Sequence, residues 1–94
     1  MSIRIAQASD LGPLIRAVRK HQGLRQDDAA GSMGVSENFL SKVERGSENV
    51  QWGKLFSVLQ SMGGRLSLDL PDEENVLGGP YGTHLQEKAH GPRP

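Results

Sequence analysis

Residues 36–45 carry the side chains with the most specific chemistry: Ser36, Glu37, Asn38, Ser41, Lys42 and Arg45, interrupted by Phe39, Leu40 and Val43. On a helix that turns Phe39 or Leu40 and Val43 inward, the polar set shares the outer surface. These residue types match the edges of base pairs. Asn can pair bidentately with adenine, Lys can donate to guanine, and Glu can accept from cytosine N4 while repelling phosphate. Ser contacts are weaker and permissive. Ser36, Glu37, Asn38, Ser41 and Lys42 are therefore the candidate base contacts. Any solvated helix face shows a similar surface, so the reading depends on how this helix is presented.

The presentation is legible from Leu24 to Gly46. A helix is predicted over 26–33, with Asp27 and Asp28 in its first turn at the positive end of the helix dipole. Ala29, Ala30 and Gly31 are small, so a neighbouring helix can come close, although Gly31 costs about 1 kcal/mol against Ala. Gly34 can adopt the left-handed backbone that ends a helix, and Ser36 can cap the next one, predicted over 37–45. Two helices joined this tightly cross steeply, and the second projects. That is the spacing of a helix-turn-helix, whose second helix enters the DNA major groove.

Phosphate oxygens are met by helix N-termini and flanking loops. Gln26 opens the earlier helix beside Arg25, while Arg45, Ser47, Asn49, Gln51 and Lys54 surround the loop after the later one. These seven are the candidate phosphate contacts.

The rest of the chain must hold this pair of helices. Leu11, Leu14, Ile15 and Val18 form one apolar stripe, predicting a first helix over 10–22 capped by Ser9 or Asp10, with Pro13 in its first turn. Leu24 reads as a core plug between helices. Trp52, Leu55, Phe56, Val58, Leu59 and Met62 predict a fourth helix over 51–62, with Trp52 in the core. Arg65 to Leu70 alternates apolar and polar residues, the sharpest strand signal present. A lone strand leaves backbone groups unpaired, so it requires either Ile3–Ile5 or the same strand of a second copy. From Pro71 onward eight of 24 residues are Gly or Pro, which reads as a flexible tail.

Composition narrows the function classes. The chain has 94 residues, no cysteine and equal numbers of acidic and basic residues. Nine Lys/Arg and seven Asp/Glu lie in residues 1–70, so the expected folded part is mildly basic and the tail mildly acidic. DNA binding then needs locally placed charges rather than a strong overall field. No apolar run reaches the ~20 residues of a membrane span, and the N-terminus lacks a signal-peptide core, predicting a soluble protein of the cytoplasm. His21, His84 and His90 lack metal-ligand spacing, no nucleophile elbow accompanies the serines, and Gly63-Gly64 and Gly78-Gly79 fit no phosphate loop. Neither an enzyme, a metal site nor a cofactor is expected.

Residues 11–62 resemble the XRE-type, or phage-repressor-like, helix-turn-helix family. The matching pieces are Ile15-Arg16-x-x-Arg19, Gly23-Leu24-x-Gln26, Ala30, Met33-Gly34-Val35-Ser36, Leu40-Ser41-x-Val43-Glu44-x-Gly46 and Leu55…Leu59…Met62-Gly63. The Asp10-Leu11-Gly12 start and the Arg65–Leu70 strand resemble the HipB-like antitoxin branch. Together the resemblance spans roughly residues 9–70. The chain departs from the family pattern at Ala29, Gly31 and Glu37, the last bearing on base preference.

The resemblance implies an all-α, four-to-five-helix repressor-like domain over 1–70, with a C-terminal strand of Leu66, Leu68 and Leu70 pairing across a homodimer. It also implies an ion pair between Arg19 and Glu44, double-stranded operator DNA as ligand, and a HipA-type kinase toxin as partner. Two further readings stay open. One is a stand-alone or phage-type repressor without a toxin. The other is a protein-interaction module without DNA binding, to which the zero formal charge gives weight.

Overall fold

Five helices follow one another in the computed structural model, which describes residues 2–79: α1 (Ala8–His21), α2 (Gln26–Met33), α3 (Glu37–Glu44), α4 (Trp52–Ser61) and α5 (Glu73–Leu77). The helix α1 starts before the predicted Ser9 or Asp10 cap. Its N-cap is Gln7, and the Asp10 carboxylate reaches back to accept from the N–H groups of Ala6, at 2.9 Å, and Gln7, at 3.2 Å. Asp10 therefore acts from the third helical position, where a carboxylate satisfies donors that the helix leaves free. The early start moves Pro13 into the second turn, so the Ser9 carbonyl receives no N–H from it.

The core gathers Ile15 of α1, Ala29, Ala30 and Met33 of α2, Leu40 and Val43 of α3, and Val58 and Leu59 of α4. Of the two predicted inward residues, Leu40 is fully buried and Phe39 only partly. Burying a side chain of that size contributes about 1.5–3 kcal/mol. Ala29 and Ala30 are fully buried, in keeping with close helix approach. Gly31, by contrast, faces open space. The closest approach lies elsewhere: a Cβ added to Gly12 would fall on the carbonyl oxygens of Val43 and Glu44 and the amide of Gly46. Backbone thus meets backbone where α1 crosses the end of α3.

Two predicted core residues are not in the core. Trp52 is 70 % exposed at the first position of α4, whose buried residues, Val58 and Leu59, lie in its second half. Its ring leans on Phe56 instead, with centroids 5.9 Å apart. Leu24 is 37 % exposed in the turn after Gly23. Periodicity shows which side of a helix is apolar, but not whether a neighbour covers its end.

Past Gly63, residues 65–70 form neither helix nor ladder, and no β-strand occurs among the described residues. The predicted alternation is present, but neither Ile3–Ile5 nor any other described segment pairs with it. A strand requires a second backbone, and this single chain supplies none. Leu66, Leu68 and Leu70 consequently stay exposed. The predicted tail begins with order: Asp72, in the left-handed region at φ 51, leads into the five-residue α5. Residues 80–94 of that tail lie outside the described residues. No described helix is long and apolar enough to cross a membrane.

Candidate nucleic-acid interface

The joint between α2 and α3 is closed by its own backbone. Gly34 sits at φ 74, ψ 25, and its N–H meets the Gly31 carbonyl at 3.3 Å. The Val35 N–H reaches back to the Ala30 carbonyl at 3.0 Å. This pairing satisfies the last carbonyls of α2 and turns the chain within two residues. Ser36 is extended, and its hydroxyl oxygen accepts from the Phe39 N–H at 3.0 Å, capping α3.

The helix α3 is divided cleanly. Leu40, Val43 and Glu44 are buried. Ser36, Glu37, Asn38 and Lys42 are exposed, and Ser41 is half-buried beside them. The five candidate base contacts thus form a continuous polar surface opposite the core.

Glu44 holds that surface in place. Arg19 of α1 donates from Nε to Glu44 Oε2 at 2.6 Å and from Nη2 to Oε1 at 2.9 Å, a fork-on-fork pair. Its third nitrogen, Nη1, donates to the Leu24 carbonyl at 2.9 Å. Gln26 of α2 adds Nε2 to Glu44 Oε1 at 3.1 Å. One buried carboxylate therefore ties α1, α2 and α3 together. Burial alone would raise the Glu44 pKa. The hydrogen bonds from Arg19 and Gln26, with the charges of Arg19 and Arg16, outweigh it and hold the carboxyl below the ordinary glutamate value.

The candidate phosphate contacts are less uniform. The Gln26 side chain turns inward to Glu44 rather than standing free at the start of α2. Arg25 is exposed but clasped by its own helix. Nη2 and Nε meet the two Asp27 carboxylate oxygens at 2.7 and 3.2 Å, and Asp28 lies 3.9 Å from Nε. Hydrogen bonding to Arg25 holds the Asp27 carboxyl below its ordinary value. Ser47 accepts from the Asn49 N–H at 3.3 Å, which shapes the loop after α3. Gln51 caps α4 by backbone geometry, and Lys54 Nζ stands 5.8 Å from the centre of the Phe39 ring. Arg45 ends α3 and is exposed.

Sequence reasoning missed two parts of this arrangement. One is the hydrogen bond from Gln26 to Glu44, which depends on how α2 rotates. The other is the Asp27 clasp on Arg25, for which the signal was an acidic pair directly after Arg25-Gln26. Among the described residues no cluster of His, Asp and Glu could hold a metal ion.

Comparison with known proteins agrees with this geometry. Residues 10–60 match the model of a helix-turn-helix domain family. An uncharacterized HTH-type transcriptional regulator of Sinorhizobium fredii (strain NBRC 101917 / NGR234), y4mF, is 42 % identical over 73 residues, covering 78 % of this chain and 96 % of that protein. Among solved structures, a chain of the HipA–HipB–O2–O3 complex superposes with a TM-score of 0.67 at 22 % identity, covering 76 % of this chain and all of that one. The restriction–modification controller protein C.AhdI from Aeromonas hydrophila does so with a TM-score of 0.54 at 24 % identity, over 62 % of this chain and 84 % of that one. The joint at Gly34, the capped and projecting α3 and these matches place the chain in the XRE-type helix-turn-helix family of transcriptional regulators.

Proposed function

We propose that this protein is a sequence-specific transcriptional repressor acting as a homodimer on a palindromic operator, and that it is the HipB-like antitoxin of its own operon. The observation that carries the reading is the exposed polar face of α3, opposite a helix pinned by the buried Arg19–Glu44–Gln26 network. Ser36, Glu37, Asn38, Ser41 and Lys42 read bases. Arg25, Gln26, Arg45, Ser47, Asn49, Gln51 and Lys54 hold phosphates, with Arg25 leaving Asp27 to do so. Gln26 can keep one amide hydrogen on Glu44 and offer the other to a phosphate. Two copies of α3 enter half-sites about 34 Å apart, and the bound dimer excludes polymerase.

The exposed Leu66, Leu68 and Leu70 support a dimer in which residues 65–70 of two copies pair as strands, hiding both their leucines and their free backbone groups. The fold likeness to a chain from the HipA–HipB–O2–O3 complex supports a HipA-type kinase toxin as the second partner. The likeness to a restriction–modification controller protein favours the stand-alone regulator as the second reading.

The primary test is binding to duplex DNA from the region upstream of the chain's own coding sequence. Specific binding should fall steeply with salt, and Asn38→Ala should cost about 1–3 kcal/mol at the cognate site with little change on random DNA. Equal loss on both duplexes would remove Asn38 from base reading. Absence of binding would leave only the protein-interaction reading. Co-purification with the product of the adjacent gene separates the antitoxin from the stand-alone regulator.

A further inference from the structure

A second surface carries two cations, Arg16 and Lys20, that the base and phosphate contacts leave out. Pro13, Arg16, Ala17 and Lys20 of α1 face Glu44 and Arg45 at the end of α3 across an open groove. Pro13 and Ala17 give it apolar lining, and three of its lining residues are cations. The single carboxylate there, Glu44, is buried and already accepts from Arg19 and Gln26. Arg16, Lys20 and Arg45 make no ion pair among the described residues. The negative end of the α1 dipole accounts for Lys20 in the last turn, but not for Arg16 one turn earlier, which lines the same groove as Arg45. Glu44 is already committed to Arg19, so the three cations leave the groove with a net positive charge that a bound anion would offset.

We infer that this groove seats the sugar–phosphate backbone of DNA outside the bases read by α3. The inference rests on the repressor reading and extends its footprint onto α1. Arg45 makes the two surfaces continuous, since it directly follows α3 and lines the groove. The chain's formal charge is zero, so attraction for a polyanion must come from local concentrations of this kind. Arginine presents a planar fork that fits two phosphate oxygens, and the contact carries no base information. Arg16 and Lys20 are the new phosphate contacts.

The test uses the full chain carrying Arg16→Gln and Lys20→Gln together, which keep the side-chain stems and remove the charge. Binding is followed by fluorescence anisotropy on the upstream duplex and on a scrambled duplex of equal length. Affinity should fall by a similar factor on both. Each lost phosphate contact removes about 0.9 from the slope of log affinity on log salt, so the slope should become shallower by roughly 2. Between about 50 and 200 mM salt, wild type should then lose roughly tenfold more affinity than the variant. Arg16→Lys, which keeps the charge, should retain the wild-type slope, whereas a merely structural role for Arg16 would leave the slope unchanged in every variant. An unchanged slope in the double variant, while Asn38→Ala still relaxes base preference, overturns the groove and leaves the repressor reading standing. The groove would then be free for another partner, such as an acidic protein. Loss confined to the upstream duplex also overturns it. Failure of wild type to bind either duplex overturns both readings.

Discussion

The α1–α3 junction and the segment after Gly63 treat their side chains in opposite ways. At the junction a charged residue, Glu44, is 6 % exposed and fully bonded, and a glycine is pressed against backbone. After Gly63 an apolar residue, Leu68, is 79 % exposed and touches little. Burial follows from which groups have partners, not from polarity alone. The junction is complete within one chain. The leucines beyond Gly63 have a pattern but no surface to meet.

Four substitutions can break or sharpen that contrast. Glu44→Gln should have the largest effect, because it leaves the Arg19 guanidinium buried without its counter-charge. Such losses cost about 3–5 kcal/mol, and in a domain this small 3 kcal/mol lowers Tm by roughly 15 °C. The same residue sets a pH dependence. Its folded pKa is depressed, so its stabilisation is complete above the ordinary glutamate value and is lost as pH falls through the lowered one. Thermal melts from neutral pH downward should show wild type losing its advantage over Glu44→Gln in that acid window. An advantage that persists would mean the pair is not what holds the junction.

Gly12→Ala comes next. Every atom its new methyl would meet is backbone, so α1 must move away from α3, at about 1–3 kcal/mol. Chemical denaturation measures this directly, and a neutral result would deny the close crossing. Gly31→Ala should act with the opposite sign. Its Cβ meets nothing, and Ala is the better helix former by about 1 kcal/mol, so the melting point should rise. Leu68→Ser should be the smallest, within about 0.5 kcal/mol for an isolated chain. The proposed dimer changes its meaning: sedimentation should show self-association falling while secondary structure stays intact. Unchanged self-association would remove residues 65–70 from the interface.

These contrasts also explain what could be read from the chain beforehand. The α2–α3 joint was legible because it is local. Gly34, Ser36 and the bounds of α2 depend on bonds that span at most five positions. The side of α3 that faces the core was legible from its apolar spacing, but the choice between Phe39 and Leu40 was not, since both fit the stripe. Leu24 and Trp52 were misplaced for a related reason: an apolar stripe does not reveal where the covering helices end. The start of α1 was missed because Asp10 bonds backward to Ala6 and Gln7, whereas a cap at Asp10 would have pointed forward. The inward turn of Gln26 and the contact at Gly12 depend on how helices cross, which no single segment encodes. Residues 65–70 have strand alternation, yet pairing depends on a second backbone.

The three hydrogen bonds that Glu44 accepts have a consequence for the cost of docking. Residues that become ordered only on binding pay for that order out of the interaction itself. Here the order of α3 is established during folding, by bonds to α1 and α2 that no ligand needs to supply. The reading surface should therefore meet DNA as a nearly rigid body. The heat-capacity change on binding should reflect the contact area alone, without the added burial of a coupled folding step. Freeing α3 by Glu44→Gln should add that missing contribution, visible by calorimetry as a more negative heat-capacity change at an unchanged set of DNA contacts.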